Sequence, residues 1–196
     1  NLSESIKNVG TVILAAFAFD RLAAFAGKVI DITSATQKYQ AVLTNVLGSQ
    51  TLANSTLNNL TQQAIKSNFA LSELTEGYIK LVNQGFKPTN AELENLQDLA
   101  NSTGKTFDQL VEGIIDAQTG EFERLKEFGI RAEKQGDIVK FTFKGVQTQV
   151  DFTAASIQKY VLGLGDLEGV TGSTAAISNT LGGQISNLGD AYDQFF

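Results

Sequence analysis

The chain has 196 residues and a mass of 21.0 kDa, and 42% of its residues are hydrophobic, which is enough to bury a core in one domain or two small ones. It contains no cysteine, histidine, tryptophan or methionine, which excludes disulfides, thiolate or imidazole catalysis and the usual transition-metal sites. The formal net charge of −6 and the pI near 4.7 argue against direct nucleic-acid binding. These counts favour a structural or assembly module over an enzyme, and they indicate no cofactor.

The two ends of the sequence indicate a piece of a longer protein. The first residue is Asn1 rather than Met, and an apolar helical pattern continues as far as Phe195 and Phe196. We therefore expect a fragment or a processed product.

The first predicted element is a helix from about Ser3 to Asp31. Its apolar residues recur at steps of three and four, which is a heptad-like seam on one helical face. Because fewer than four clean heptads are present, the seam fits either a coiled-coil or intersubunit role or a core helix within one subunit. The residues expected to make intersubunit contacts are Val12, Phe19, Leu22 and Val29.

An apolar run inside this helix, from Val9 to Phe19, is too short to cross a membrane. Asp20 and Arg21 interrupt it well before the roughly 20 residues that a bilayer requires. We therefore interpret the segment as a buried or oligomer-facing helix rather than as a signal peptide or a membrane span.

Six shorter helices are predicted between residues 34 and 128. Two of them begin with a capping box, in which a threonine and the residue three positions later bond to each other's backbone; the pairs are Thr89 with Glu92 and Thr106 with Gln109. The predicted helices are Ser34–Leu47, Thr51–Ser67, Ser72–Gln84, Asn90–Ser102, Phe107 to about Gly120, and Glu121–Phe128.

The pattern changes to β-structure after residue 137. Ile138–Phe143 is typical of a strand, Lys144 and Gly145 of a turn, and Val146–Val150 of the partner strand. Because an isolated hairpin is only marginally stable in water, we expect this hairpin to lie on helices or to pair elsewhere.

The C-terminal part is predicted to hold two more helices. Thr153 can cap a helix that runs to Leu162, and the glycines at 163, 165, 169 and 172 then predict a flexible crossing. A final helix from about Ser173 carries a second seam, whose expected contact residues are Leu181, Ile185, Leu188 and Tyr192.

The predicted fold class is therefore mainly α. We expect a compact multi-helix domain with one β-hairpin at about residues 138–150, flanked by longer N- and C-terminal helices. The predicted division is an N-terminal helix at 1–33, a helical domain at 34–170, and a C-terminal helix at 171–196 that leads into a helical rod missing from this chain.

Two features imitate catalytic or nucleotide-binding motifs. Glu121, Glu123 and Glu127 form the densest carboxylate group, but basic residues lie among them and the pattern favours a solvated helix face. Gly163–Gly169 has glycines near the spacing of a nucleotide-binding loop, yet the third glycine falls one position late and a helix precedes it. We predict no catalytic or metal-binding residue.

Several segments in the middle of the sequence form a specific pattern. They are Leu71–Thr89, Leu99–Gly104 and Phe107–Gly113, and the pattern is sharpest in Glu123–Ile130, Gly136–Asp137 and Phe141–Gly145. These segments resemble the N-terminal domain of tail tape measure proteins from long-tailed bacteriophages and prophages. Leu181–Leu188 is similar to the family's exit into its long helical region. The resemblance covers about Thr51 to the C-terminus. The first helix resembles the family only in its general character and not in specific motifs.

The resemblance implies a physical ruler for the phage tail. In that family a long, mainly helical protein lies in the tail-tube lumen, and polymerisation of the tube stops when the ruler is covered. A chain of 196 residues is too short to be the ruler itself, so the resemblance implies a globular head or cap from which the rod extends.

The implied partners are further copies of the chain, with a trimer as the expected state, the tail tube protein, distal tail or baseplate hub proteins, and tail assembly chaperones. The implied location is the virion tail, and the host cytoplasm during assembly. The alternative is a membrane-active tail component, in which the first helix inserts into the host envelope during genome delivery.

Overall fold

The structure is a computed structural model that describes residues 36–180. The chain divides into two compact units, Asn1–Val42 and Leu43–Phe196. The described part of the first unit, residues 36–42, is helical. The predicted long flanking helices fall mostly outside the described residues, as does the boundary predicted between residues 33 and 34.

Residues 36–180 are mainly helical, with a small three-stranded antiparallel sheet, which confirms the mainly α class. The helices are α1 (36–47), α2 (Gln50–Lys66), α3 (Leu71–Asn83), α4 (Asn90–Ser102), α5 (Phe107–Thr119), α6 (Glu123–Lys126), α7 (Ala154–Gly165) and α8 (173–180). The strands are β1 (Arg131–Gln135), β2 (Ile138–Phe143) and β3 (Val146–Asp151).

Both predicted capping boxes are confirmed. The Glu92 amide donates to Thr89 Oγ1 at 3.3 Å, and the Thr89 amide donates to Glu92 Oε2 at 2.7 Å. The corresponding bonds between Thr106 and Gln109 are both 3.1 Å long. These bonds satisfy amides that have no partner inside a helix, which explains why α4 and α5 begin where the sequence predicts.

The core is formed mainly by apolar faces of helices α2 to α5 and α7. Residues buried at the centre of this packing include Leu60, Leu74, Leu81, Leu96, Leu99, Phe107, Leu110, Ile114, Ile157 and Val161.

At the surface, Lys80 links α3 to α5. Its ammonium donates to Asp108 at 2.7 Å and to Glu112 at 2.5 Å.

The sheet differs from the single hairpin that the sequence predicts. Strands β2 and β3 pair antiparallel around Lys144 and Gly145, but β1 adds a third strand on the other edge of β2. The predicted hairpin is therefore part of a three-stranded sheet. The sequence Arg-Ala-Glu-Lys-Gln of β1 has no apolar alternation, so the strand depends on its hydrogen bonds to β2 and not on a hydrophobic pattern of its own.

Two predicted helix boundaries also need correction. Helix α6 is shorter than the predicted Glu121–Phe128, since it begins at Glu123 and its regular part ends at Lys126. A Schellman motif follows, in which the Ile130 amide donates to the Leu125 carbonyl at 3.1 Å and Gly129 has a φ of 72°. Helix α7 runs three residues beyond Leu162, so Gly163 and Gly165 are helical and do not belong to a flexible crossing.

The extra turn of α7 packs closely against α4. A Cβ atom at Gly165 would lie 2.5 Å from both the Cβ and the carbonyl oxygen of Asn95. The Asn95 side chain also donates to Asp166 at 2.9 Å, just beyond the end of α7. The absence of a side chain at Gly165 therefore allows this helix crossing.

Candidate functional site

The carboxylates that drew attention in the sequence do not form a pair. Glu123 accepts bonds from Lys126 at 2.7 and 2.8 Å, and Glu127 accepts one from Lys105 at 3.0 Å. Glu121 is exposed in the turn before α6. Acid–base hydrolysis of the glycosidase type needs two carboxylates facing one substrate, and this arrangement instead places ion pairs on a solvated face.

The glycine-rich segment is likewise structural. Gly169 has a φ of 73°, and its carbonyl accepts a bond from the Lys144 ammonium at 3.1 Å. The amides of Gly172 and Thr174, at the start of α8, both donate to the Asp98 carboxylate, at 2.6 and 2.8 Å. Because Asp98 occupies these amides, they are not available to a phosphate.

A groove of about 600 Å³ lies between β3 and α7. Part of its apolar lining is unusually exposed, since Val146 is 66% and Leu167 42% accessible. The groove is lined by Phe143, Val146, Thr148, Gln149, Val150, Asp151, Ser156, Lys159, Tyr160, Gly163, Leu164 and Leu167.

The groove exists because the core-facing side of the sheet is covered unevenly. Phe143, Phe141 and Val139 of β2 are buried, and Tyr160 of α7 stacks on Phe141 with ring centroids 4.4 Å apart. Their partners across the ladder are Val146, Thr148 and Val150, of which Val146 and Thr148 are exposed and Val150 is half-buried. Val146 and Thr148 therefore remain in contact with solvent, although their ladder partners Phe143 and Phe141 are buried.

The tyrosine of the groove is poorly suited to act as a general base. Burial raises the pKa of the half-buried Tyr160 to about 12, so its phenol stays protonated at neutral pH and cannot act as a base. Asp151 and Lys159 are the carboxylate and the ammonium of the lining. Such a recess can hold an apolar or extended polypeptide segment, which needs shape and backbone partners but no reactive group.

Further chemistry is not apparent in the described part of the chain. Within residues 36–180, no group of three Asp or Glu residues is placed to hold a metal ion. No helix in the same range is long and apolar enough to cross a membrane.

The eight residues predicted to make intersubunit contacts all lie outside the described residues. They are Val12, Phe19, Leu22, Val29, Leu181, Ile185, Leu188 and Tyr192. Sequence reasoning missed the groove beside β3, although one signal was available: Val146–Val150 alternates β-branched residues with glutamines and contains no charge.

Comparisons of the chain with protein-family models, with curated proteins and with solved structures found no match.

Proposed function

We propose that the chain is the globular domain of a phage tail tape measure protein, which sets tail length and organises assembly of the tail tube. The observation that carries this proposal is the sequence resemblance in residues 120–145. The proposed site of action is the virion tail, after assembly in the host cytoplasm. No catalytic step is part of the proposed role.

The positions of the motif residues support a structural role. Leu125, Phe128 and Ile130 are buried, and Gly129 between them adopts the left-handed conformation that ends α6. In the second half of the motif, the β2 residues Phe141 and Phe143 are also buried. The motif residues therefore maintain the fold, which is compatible with a role that needs no reactive side chain.

The proposed partners are other copies of the chain, the tail tube protein, distal tail or baseplate hub proteins, and tail assembly chaperones. The two predicted seams supply the self-association surfaces, and a trimer about the tail axis is the expected state. The net charge of −6 argues against nucleic acid as a direct partner.

Electron microscopy of tails tests the proposal directly. About 100 residues are deleted from the helical region of the parent protein, outside the 196 residues of this chain. Because an α-helix rises about 1.5 Å per residue, the tails are expected to shorten by roughly 150 Å. An internal insertion of similar length is the matched control, and it should lengthen the tails by a similar amount.

Tails of unchanged length in both variants would contradict the ruler role. Such a result would favour the membrane-active alternative. It would not test that alternative directly, because both variants keep the first helix intact.

A further inference from the structure

Strand β3 forms an outer edge of the sheet. Lys144 and Gly145 have φ values of 48° and 80°, the geometry of a two-residue type I′ turn, so the flanking residues Phe143 and Val146 form a hydrogen-bonded pair. Such pairs recur at every second residue of an antiparallel ladder. The backbone groups of Gln147 and Gln149 therefore point away from β2, and no strand within residues 36–180 pairs with them.

The two edges of the sheet differ in their protection. The edge strand β1 carries Arg131, Glu133 and Lys134, and charges on an edge discourage pairing with another chain. Strand β3 has five uncharged residues in succession, from Val146 to Val150. The apolar groove also opens beside β3. Both edges have outward backbone groups, and β3 is the one that lacks charged protection.

The sequence of β3 is self-complementary. Val-Gln-Thr-Gln-Val at 146–150 is identical in either direction, so two copies aligned antiparallel about Thr148 place like residues opposite each other. In that register Gln147 faces Gln149 of the second copy as a hydrogen-bonded pair, which uses the outward backbone groups of both. Val146 faces Val150 of the second copy at a non-hydrogen-bonded position, where side chains come closest.

We infer that β3 pairs with β3 of a second copy about a two-fold axis at Thr148, which joins the two three-stranded sheets into one sheet of six strands. The exposed Val146 then gains a β-branched neighbour from the second copy. At each end of the pair, Asp151 of one copy comes opposite Gly145 of the other, next to Lys144. The charges at the ends are therefore complementary.

This inference does not rest on the proposed function. A two-fold contact through β3 is separate from the seams at the chain ends, and either surface can associate without the other. A two-fold contact of this kind is isologous, so it closes after two copies and leaves no further β3 edge exposed.

Two double variants test the pairing by charge. In Gln147→Glu/Gln149→Glu, glutamates face each other between copies, whereas in Gln147→Lys/Gln149→Glu a lysine faces a glutamate. Both variants share the Glu substitution at 149, whose ladder partner in the same chain is Lys140, so an attractive pair within the chain helps to preserve the fold. Only the sign of the charge at position 147 differs between them.

Native mass spectrometry measures the outcome on the full chain. The all-glutamate variant is expected to contain half as many subunits as the wild type, and the lysine–glutamate variant the same number as the wild type. If the seams do not associate, the wild type is a dimer with a mass of twice 21.0 kDa and the all-glutamate variant is a monomer of 21.0 kDa. Equal subunit numbers in the two folded variants would overturn the inference, as would a monomeric wild type.

The register is tested by a single thiol, because the chain contains no cysteine. Thr148→Cys places two thiols on the two-fold axis, within the Cα separation that a disulfide tolerates. Mild oxidation is expected to yield a covalent dimer at twice 21.0 kDa. In the control Gln147→Cys, the Cα atoms of the two cysteines are more than about 7 Å apart, so the thiols should not form a disulfide. Equal cross-linking of both variants, or of neither, would overturn the proposed register.

Discussion

At the residue scale, single glycines determine how closely helices can pack. Gly165 meets Asn95 across the α4–α7 crossing, whereas a Cβ at Gly163, two residues earlier in α7, would meet no heavy atom of the described residues within 4 Å. Both residues are helical and neither has a positive φ. The two positions therefore separate the effect of helix packing from that of helix propensity.

Gly165→Ala is expected to destabilise the domain by about 1–3 kcal/mol, because the new methyl group would force α7 away from α4. The measurement is the free energy of unfolding in urea. Gly163→Ala is the control, and it is expected to be neutral or to stabilise by up to about 1 kcal/mol through helix propensity. Equal effects of the two substitutions would show that the close crossing is not a source of stability.

At the element scale, local signals at the helix starts explain why several elements could be predicted. Each capping box lies within four consecutive residues and does not require contacts from elsewhere in the chain. The same holds for the Lys144–Gly145 turn, whose conformation selects a tight hairpin between β2 and β3. Elements with such signals begin or end within about a residue of their predicted bounds.

Thr89→Ala is expected to cost about 1 kcal/mol, because it leaves the Glu92 amide at the start of α4 without its side-chain acceptor. Chemical denaturation of the variant and the wild type measures the difference. Thr89→Ser keeps the hydroxyl and should restore most of the stability. A serine variant as unstable as the alanine variant would mean that the threonine methyl group, and not the cap, stabilises this helix start.

At the scale of the whole molecule, stability is expected to fall at alkaline pH. Hydrogen bonds from Lys80 to Asp108 and then Glu112 raise the pKa of Lys80 above 10.5, and burial raises that of Tyr160 to about 12. In both cases the folded chain retains a proton that the unfolded chain releases. The resulting stability is complete below about pH 10 and is lost as the pH rises through the folded values.

Tyr160→Phe is expected to remove the tyrosine part of this pH dependence. The free energy of unfolding is measured in urea at pH 8, 10 and 11, and the wild type should lose more stability over that range than the variant. The remaining loss in the variant includes the Lys80 contribution. Parallel curves for the two proteins would show that Tyr160 has the same pKa folded and unfolded.

The mainly α class, the helices that begin with a local cap, and the strands β2 and β3 could all be predicted from the sequence. Capping boxes, turn residues and apolar periodicity act over a few residues, so they can be recognised without a structure. The bounds of α4 match the predicted Asn90–Ser102 because Thr89 and Glu92 mark its start.

The third strand, the extra turn of α7 and the groove were recognised only in the folded chain. Strand β1 depends on register with β2, and the end of α7 on a close crossing with Asn95. The groove results from which side of β3 remains uncovered. The α4–α7 crossing and the groove depend on packing between segments distant along the chain, which local patterns do not encode. Strand β1 is adjacent to β2 along the chain, and it escaped prediction because its residues show no apolar alternation.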